Sequence, residues 1–236
     1  MADSLRILVL FDIDGTLVDC GAASGKGFSK AFYEAFGVPC PIFAPADVAG
    51  FTDSAILAEV VSRLGLQCDD FEQRRALTFE IYARNLAREF QTLPPRELPG
   101  AASAVRAVRS MPGLAVGLLT GSTAATARIK LESAGIDFRQ FVCGAYSEDA
   151  GSREALPAVA RARFVDLFGQ DPQRTILIGD TPLDVEAARA SGSDFIGVTT
   201  GHYDRGALER AGAEIVLDDL TKTEPLCRAI EELRRR

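Results

Sequence analysis

The chain has 236 residues, 47% of them hydrophobic and 25% charged, and a formal net charge of −7. That length suits one well-packed core with a smaller attached unit, and the composition is that of an ordinary globular protein. The acidic balance argues against a nucleic-acid binder, which normally carries a basic face, though a metal and one cation in a cleft can still draw an anionic substrate.

The five cysteines, Cys20, Cys40, Cys68, Cys143 and Cys227, are scattered, odd in number and form no C-x-x-C pair. This argues against a disulfide framework or a zinc site and fits a reducing cytosol. The N-terminus lacks the basic-then-apolar pattern of a signal peptide, and no apolar run is long enough to span a membrane. A cytoplasmic protein with no membrane or nucleic-acid partner is expected, as a monomer or a homodimer.

In chain order, the first apolar run is Leu5 to Phe11, ending at Asp12. Residues 20–95 then break into helical patterns. Phe28, Phe32 and Phe36 recur every fourth residue, and Phe79, Tyr82, Leu86 and Phe90 also follow helical spacing. No strand run is visible there, so this stretch reads as a helical insertion. It is entered by a short linker near Val18 to Gly21 and left through the breaker-rich segment Leu93 to Gly100.

Beyond it, apolar runs and helical stretches alternate. The runs are Leu114 to Leu119, a weaker Phe141 to Val142, Thr175 to Ile178, Phe195 to Val198 and Glu214 to Leu217. Helices are expected near 122–134, 153–169, 182–191 and 204–211. Short continuous apolar runs suit strands buried on both faces of a parallel sheet. The pattern predicts a doubly wound α/β fold, with a Rossmann-like core of residues 1–18 and 96–236 and an inserted α-helical cap domain of residues 19–95.

Ligands bind beyond the carboxyl ends of strands in such sheets, and those ends are polar here. The first is Asp12-Ile13-Asp14-Gly15-Thr16-Leu17. Alternation puts Asp12 and Asp14 on one side of the chain, and Gly15 permits a sharp turn. Two such carboxylates can divide labour, one ionised and one protonated; the bland alternative is an acidic turn at a strand end. The second is Thr120-Gly121-Ser122, a hydroxyl and backbone N–H groups at a helix start, suited to phosphate, although Ser122 would equally serve as an N-cap. The third is Gly179-Asp180-Thr181-Pro182-Leu183-Asp184. Thr181 fits an N-cap, Pro182 the first helical position, and Asp184 the first turn, aimed back at Asp180. Paired hard oxygens beside a phosphate site suit Mg²⁺. A capped helix with a dipole-compensating acid explains Asp184 equally well, but not an aspartate ending a buried strand.

Together the three clusters resemble the haloacid dehalogenase superfamily, in its phosphoglycolate-phosphatase-like branch. The resemblance covers nearly the whole chain, including a helical cap after the first motif. It implies that Asp12 attacks phosphorus and that Asp14 protonates the leaving oxygen and then activates water. It implies Mg²⁺ held by the Asp12 and Asp180 side chains and the Asp14 carbonyl, and phosphoryl oxygens held by Thr120 and the Gly121 N–H. The family also places a cation, usually lysine, between the second and third clusters. Here Lys130 reads as too close to Thr120 and lies mid-helix, so the role is given to Arg153, which opens the next helix and can grip an oxyanion bidentately. Asp184 then either joins the metal site or orients Arg153.

Other features are read as structural. Gly21 to Gly27 mimics a P-loop but is one residue short between glycines and lacks the hydroxyl residue, so it reads as a flexible start to the first cap helix. His202, the only histidine, reads as solvated loop, and Arg234 to Arg236 as a frayed helix end. Thr52 and Asp53 either cap the next helix or screen substrate from the cap, and Phe43 and Phe51 either line a leaving-group pocket or pack within the cap.

The resulting expectation is a Mg²⁺-dependent phosphatase acting on a small phosphorylated metabolite, phosphoglycolate-like or a sugar phosphate. A sugar-phosphate mutase of the same superfamily is the alternative enzyme, disfavoured because Val18-Asp19-Cys20-Gly21 lacks the hinge histidine of such mutases. Asp14 disfavours a phosphonate-cleaving enzyme and a dehalogenase. A non-catalytic phosphate-binding regulatory protein is the alternative outside enzymes, and the complete acid set argues against it.

Overall fold

The computed structural model describes residues 7–41, 43 and 45–236, so Leu5 and Arg6 of the first apolar run lie outside the described residues. In chain order the elements are β1 (Ile7–Phe11), β2 (Val18–Asp19), α1 (Ala23–Phe36), α2 (Pro45–Val48), α3 (Asp53–Arg63), α4 (Phe71–Glu89), β3 (Arg96–Glu97) and α5 (Ala101–Arg109). There follow β4 (Leu114–Leu119), α6 (Ala124–Ser133), β5 (Gly144–Ala145), α7 (Leu156–Phe168), β6 (Arg174–Gly179), α8 (Pro182–Ser191), β7 (Asp194–Val198), α9 (Arg205–Ala211), β8 (Ile215–Leu217) and α10 (Thr223–Arg235).

Six strands form one sheet in the order β5-β4-β1-β6-β7-β8, and every pairing in it is parallel. The chain leaves β1 to one side for β4 and β5, then crosses to the other for β6 to β8. This reversal opens a crevice at the carboxyl end of β1, the usual ligand position in a doubly wound sheet. Alternate β1 residues bury both faces. Ile7, Val9 and Phe11 join the layer containing Val105 and Val108 of α5 and Ile230 and Leu233 of α10. Leu8 and Leu10 join Ala160 and Phe164 of α7 and Ala187 and Ala188 of α8. The fold is the α/β, Rossmann-like core that the alternating runs predict.

Some elements differ from expectation. The weak run at Phe141 to Val142 is not a strand. Val142 donates to the Val116 carbonyl (2.8 Å) but its side chain is exposed, and the ladder on β4 closes only at Gly144 and Ala145. The helix expected from 122 starts at Ala124 and is capped by Thr123, whose side chain accepts from the Thr126 N–H. The helix expected from 153 opens with a 3₁₀ turn over Arg153–Ala155. The helix α5 was not anticipated, and α10 only through its last residues. At the end of α10, Arg236 pairs with Glu214 and Glu232 rather than fraying free.

Among the described residues, the regular structure between β2 and β3 is all helical. The fourfold phenylalanine spacing packs α1 on α4: Phe28 meets Tyr82 edge-on with centroids 5.6 Å apart, and Phe32 stacks on Phe36 at 4.6 Å. The Gly21 to Gly27 stretch is helical from Ala23, not a flexible lead, and Gly27 is where the Tyr82 ring of α4 approaches α1. β2 and β3 pair antiparallel (Val18 with Glu97, Asp19 with Arg96), tying the outgoing and returning chain together.

The return to the sheet depends on Gly100, held at φ +81° immediately before α5. A Cβ there would lie 2.1 Å from the Leu220 carbonyl oxygen. Gly100→Ala is therefore expected to cost roughly 2 kcal/mol or more of stability, because it combines a left-handed backbone with a clash against main chain. Urea denaturation measures this, and an unchanged midpoint would contradict it.

Candidate active site

Register brings the polar strand ends together. Phe11 of β1 lies level with Leu118 of β4 and Ile178 of β6, so the chain just beyond delivers Asp12, Thr120 and Asp180 to one rim. The Asp12 N–H bonds to the Ile178 carbonyl (2.9 Å), which extends the β1–β6 ladder to Asp12 itself. Asp12 is 4% exposed and Asp180 2%.

Asp180 is fixed by the first motif: Thr16 Oγ1 donates to its Oδ1 at 2.9 Å. Gly15, at φ +83°, lets this carboxylate approach closely, since a Cβ there would lie 2.3 Å from Asp180 Oδ2. Asp184 closes the cluster. One oxygen each of Asp12, Asp180 and Asp184 lies within 4.8 Å of the others. Burial pushes the Asp12 carboxyl up to about 7; Arg153 opposes the shift, and Asp184 and Asp14 add to it. Burial, reinforced by the charges of Asp12 and Asp184, holds Asp180 well above the usual carboxylate range. Crowded carboxylates removed from water favour protons unless a cation joins them.

Arg153 is that cation on the protein's side. It is buried, and Nη2 lies 3.1 Å from Asp12 Oδ2. Nε donates to Asp184 Oδ1 at 3.0 Å, and Nη2 also pairs with that oxygen. The other Asp184 oxygen accepts from the Thr181 N–H (3.1 Å) and Thr181 Oγ1 (2.7 Å), so both are occupied. Nη1 reaches out of the cluster to the Gly50 carbonyl at 3.0 Å, across to the helical insertion.

Asp14 points elsewhere. Its Oδ2 accepts from Ser122 Oγ (3.1 Å) and from Lys130 Nζ (2.6 Å), and Lys130 also donates to Ser122 Oγ (2.7 Å). Lys130, set aside as the oxyanion cation because it reads as too close to Thr120 and mid-helix, pairs with Asp14 and not with Asp12 as Arg153 does, yet it belongs to the same cluster of side chains. Helical side chains lean toward the N-terminus and cover the preceding turn. A long lysine on α6 thus reaches back to the loop before it. The signal was present, because Lys130 shares the buried face of α6 with Ala127 and Leu131, where a charge needs a partner.

The Thr120-Gly121-Ser122 loop is only partly arranged as a phosphate cradle. Thr120 is buried, and its Oγ1 accepts from the Ser122 N–H (3.2 Å). Ser122 is not the helix cap; its hydroxyl belongs to the Asp14–Lys130 contact. The next two N–H groups are already taken, Thr123 by Asp53 Oδ2 (3.2 Å) and Ala124 by Glu148 Oε1 (2.9 Å).

Thr52 and Asp53 meet this loop from the insertion. Thr52 caps α3 by accepting from the Ala55 N–H (3.1 Å), and the Asp53 N–H donates to the Gly121 carbonyl (2.7 Å). Ser54 adds a backbone bond to Ser147 Oγ (2.8 Å). Phe51 is half exposed, Phe43 is partly buried under the Arg63 guanidinium, and His202 is exposed. All five cysteines are free thiols. Among the described residues no helix is long and apolar enough to cross a membrane.

Comparison with known proteins agrees with this geometry. Residues 8–192 match the model of the haloacid dehalogenase-like hydrolases. The chain belongs to that family. It is similar to a phosphoglycolate phosphatase of Rhodospirillum rubrum, 28% identical over 218 residues that cover 89% of this chain and 86% of that protein. It is also similar to 2-deoxyglucose-6-phosphate phosphatase 1 of Saccharomyces cerevisiae, 27% identical with coverage of 94% and 91%. A hydrolase from Pseudomonas syringae shares the fold, with TM-score 0.71, 23% identity and coverage of 97% and 99%. The chain is thus an enzyme of the phosphatase type, resembling the phosphoglycolate-phosphatase-like branch.

Asp53 makes the contact between insertion and core sensitive to pH. Burial raises its carboxyl to about 6, with Lys130 opposing and Asp14 adding to the shift. An unfolded aspartate titrates near ~3.9, so between these values the folded state holds more proton, and stability falls as pH rises through the window. Asp53→Asn removes that dependence. Going from pH 4.5 to 7.5, the variant should lose less stability to urea than the wild type; equal losses would contradict the assignment.

Proposed function

We propose that the chain is a Mg²⁺-dependent phosphatase that hydrolyses a small phosphorylated metabolite through an aspartyl-phosphate on Asp12. The observation that carries this reading is the buried Asp12–Asp180–Asp184 cluster gripped by Arg153 at the switch point of the sheet, with Asp14 beside it. The charge balance supports a divalent ion. Three carboxylates, Asp12, Asp180 and Asp184, face one cation, Arg153, and the remaining two negative charges match one Mg²⁺. The donors are hard oxygens, as Mg²⁺ requires. The Asp12 and Asp180 side chains with the Asp14 carbonyl would hold the ion. Asp184, whose oxygens are both hydrogen-bonded, is assigned to orienting Arg153 rather than to the metal itself.

When bound, Mg²⁺ would favour the ionised form of Asp12 and neutralise phosphoryl charge. Asp12 then attacks phosphorus in line, forming its acyl-phosphate bond as the bond to the leaving oxygen breaks. Asp14 gives that oxygen a proton. In the second half Asp14 takes a proton from water as the water attacks phosphorus, and the Asp12–phosphorus bond breaks. Dividing one displacement in two lowers each barrier. Arg153, with Thr120 and the Gly121 N–H, is assigned to the phosphoryl oxygens.

The insertion, residues 19–95, is proposed as a cap domain over this site, with Thr52 and Asp53 at its contact with the core. The bonds from Arg153 to Gly50 and from Asp53 and Ser54 to the β4–α6 and β5–α7 loops support this. The relatives named as acting on phosphoglycolate and on 2-deoxyglucose 6-phosphate support a small substrate of that kind. Free thiols throughout suit a cytosolic site of action.

The purified protein should release phosphate from an aryl phosphate with Mg²⁺ and stop when the metal is chelated. Asp12→Asn should lower that rate by at least about a thousandfold; retention of the rate would falsify the nucleophile assignment. Arg153→Ala should lower kcat by about a hundredfold or more, measured by the same release of phosphate, and a full rate in this variant would mean that another cation serves the phosphoryl group. A release screen over phosphorylated metabolites identifies the substrate class.

A further inference from the structure

The Asp14–Ser122–Lys130 contact goes beyond what metal and phosphate binding require. Lys130 is 3% exposed, while the Asp14 side chain is 44% exposed. The cation is thus buried beneath a carboxylate that remains open toward the crevice. Burying an ammonium costs several kcal/mol before any partner is counted, and an apolar residue of similar volume avoids that cost. Packing between α6 and α4 therefore gives no reason for a lysine here.

The placement of the bonds supplies one. Both fall on the same oxygen, Oδ2 of Asp14. Lys130 and Ser122 are also bonded to each other, so the two donors form a closed triangle with that oxygen. Burial alone would strip the ammonium of its proton, but Asp14, with Tyr82, Cys20 and Asp53 near it, keeps Lys130 well above the ordinary lysine range. The donor is permanently charged, and its anchor is short.

We propose that Lys130 is a positioning residue for the acid–base Asp14: with Ser122 it pins Oδ2, so that Oδ1 is the oxygen presented to the leaving group and then to water. This rests on the reading of Asp14 as the acid–base of a phosphatase. Without the pin the carboxylate would rotate about its side-chain torsions, and proton transfer, which needs hydrogen-bond geometry at the leaving oxygen, would lose efficiency.

The leaving group provides the test. A 4-nitrophenolate departs from phosphorus without a proton, whereas an alkoxide does not. The parameter kcat/KM covers the step that expels it. For Lys130→Met, kcat/KM on an alkyl phosphate turned over by the wild type should fall about a hundredfold, and on 4-nitrophenyl phosphate by less than tenfold. The aryl ester serves also as the check that the variant is folded. If Lys130→Met loses both activities and its cooperative thermal transition, Ser122→Ala decides, and should show the same selective loss to a smaller extent. Equal loss on both esters, or no loss on the alkyl ester, in the variant that folds overturns the proposal. A wild type that hydrolyses neither ester would overturn the phosphatase reading itself, a result distinct from any ratio measured in the variants.

Discussion

Three aspartates that would repel one another are buried at one point, and Arg153 holds them there. Asp12 and Asp184 share this guanidinium, and Asp180 stands beside them on the Thr16 hydroxyl. The parallel sheet brings the strand ends into line and so creates the crowding. The burial that makes the site reactive also makes it costly as carboxylates alone, as the raised Asp12 and Asp180 carboxyls show. Arg153 relieves part of that cost, and a divalent ion on the same oxygens would relieve the rest.

The same arginine links chemistry to access. Its third contact, the Gly50 carbonyl, belongs to the helical insertion, so the group that pairs with Asp12 and Asp184 also fastens that segment to the core. Asp53 repeats the pattern on the other side, binding the loop before α6 through both its N–H and its carboxylate. Lys130 then supports the second acid from beneath, on the face of α6 that meets α4. The site lies between the sheet edge and the insertion, whose polar contacts with the core stand beside an apolar layer that the two share.

Much of this was legible in the sequence because it follows from periodicity. Continuous apolar runs ending in Asp12 and Asp180 gave the sheet and its reactive edge. The spacing of Phe28, Phe32 and Phe36 gave the insertion a helix that packs on one face. Thr181, Pro182 and Asp184 gave the start of α8, because a capping box is a local device. What sequence spacing did not reveal depends on three-dimensional reach. Lys130 reads as too close to Thr120 and mid-helix, yet its side chain leans back along α6 to Asp14 and Ser122. Ser122 looked like a cap because its hydroxyl stands before a helix, but Asp14 competes for it. The strand at Gly144 and Ala145 is too short and too small to show as an apolar run, and only its partner β4 defines it.

In the proposed reaction Asp12 carries the phosphoryl group between the two halves. Acid quenching during turnover of an aryl phosphate with Mg²⁺, followed by peptide mass spectrometry, tests it directly. One phosphoryl group is expected on the peptide containing Asp12, assigned by fragmentation to that residue and absent from Asp12→Asn. A phosphoryl group on any other side chain, or continued hydrolysis by Asp12→Asn with no labelled peptide, would contradict it.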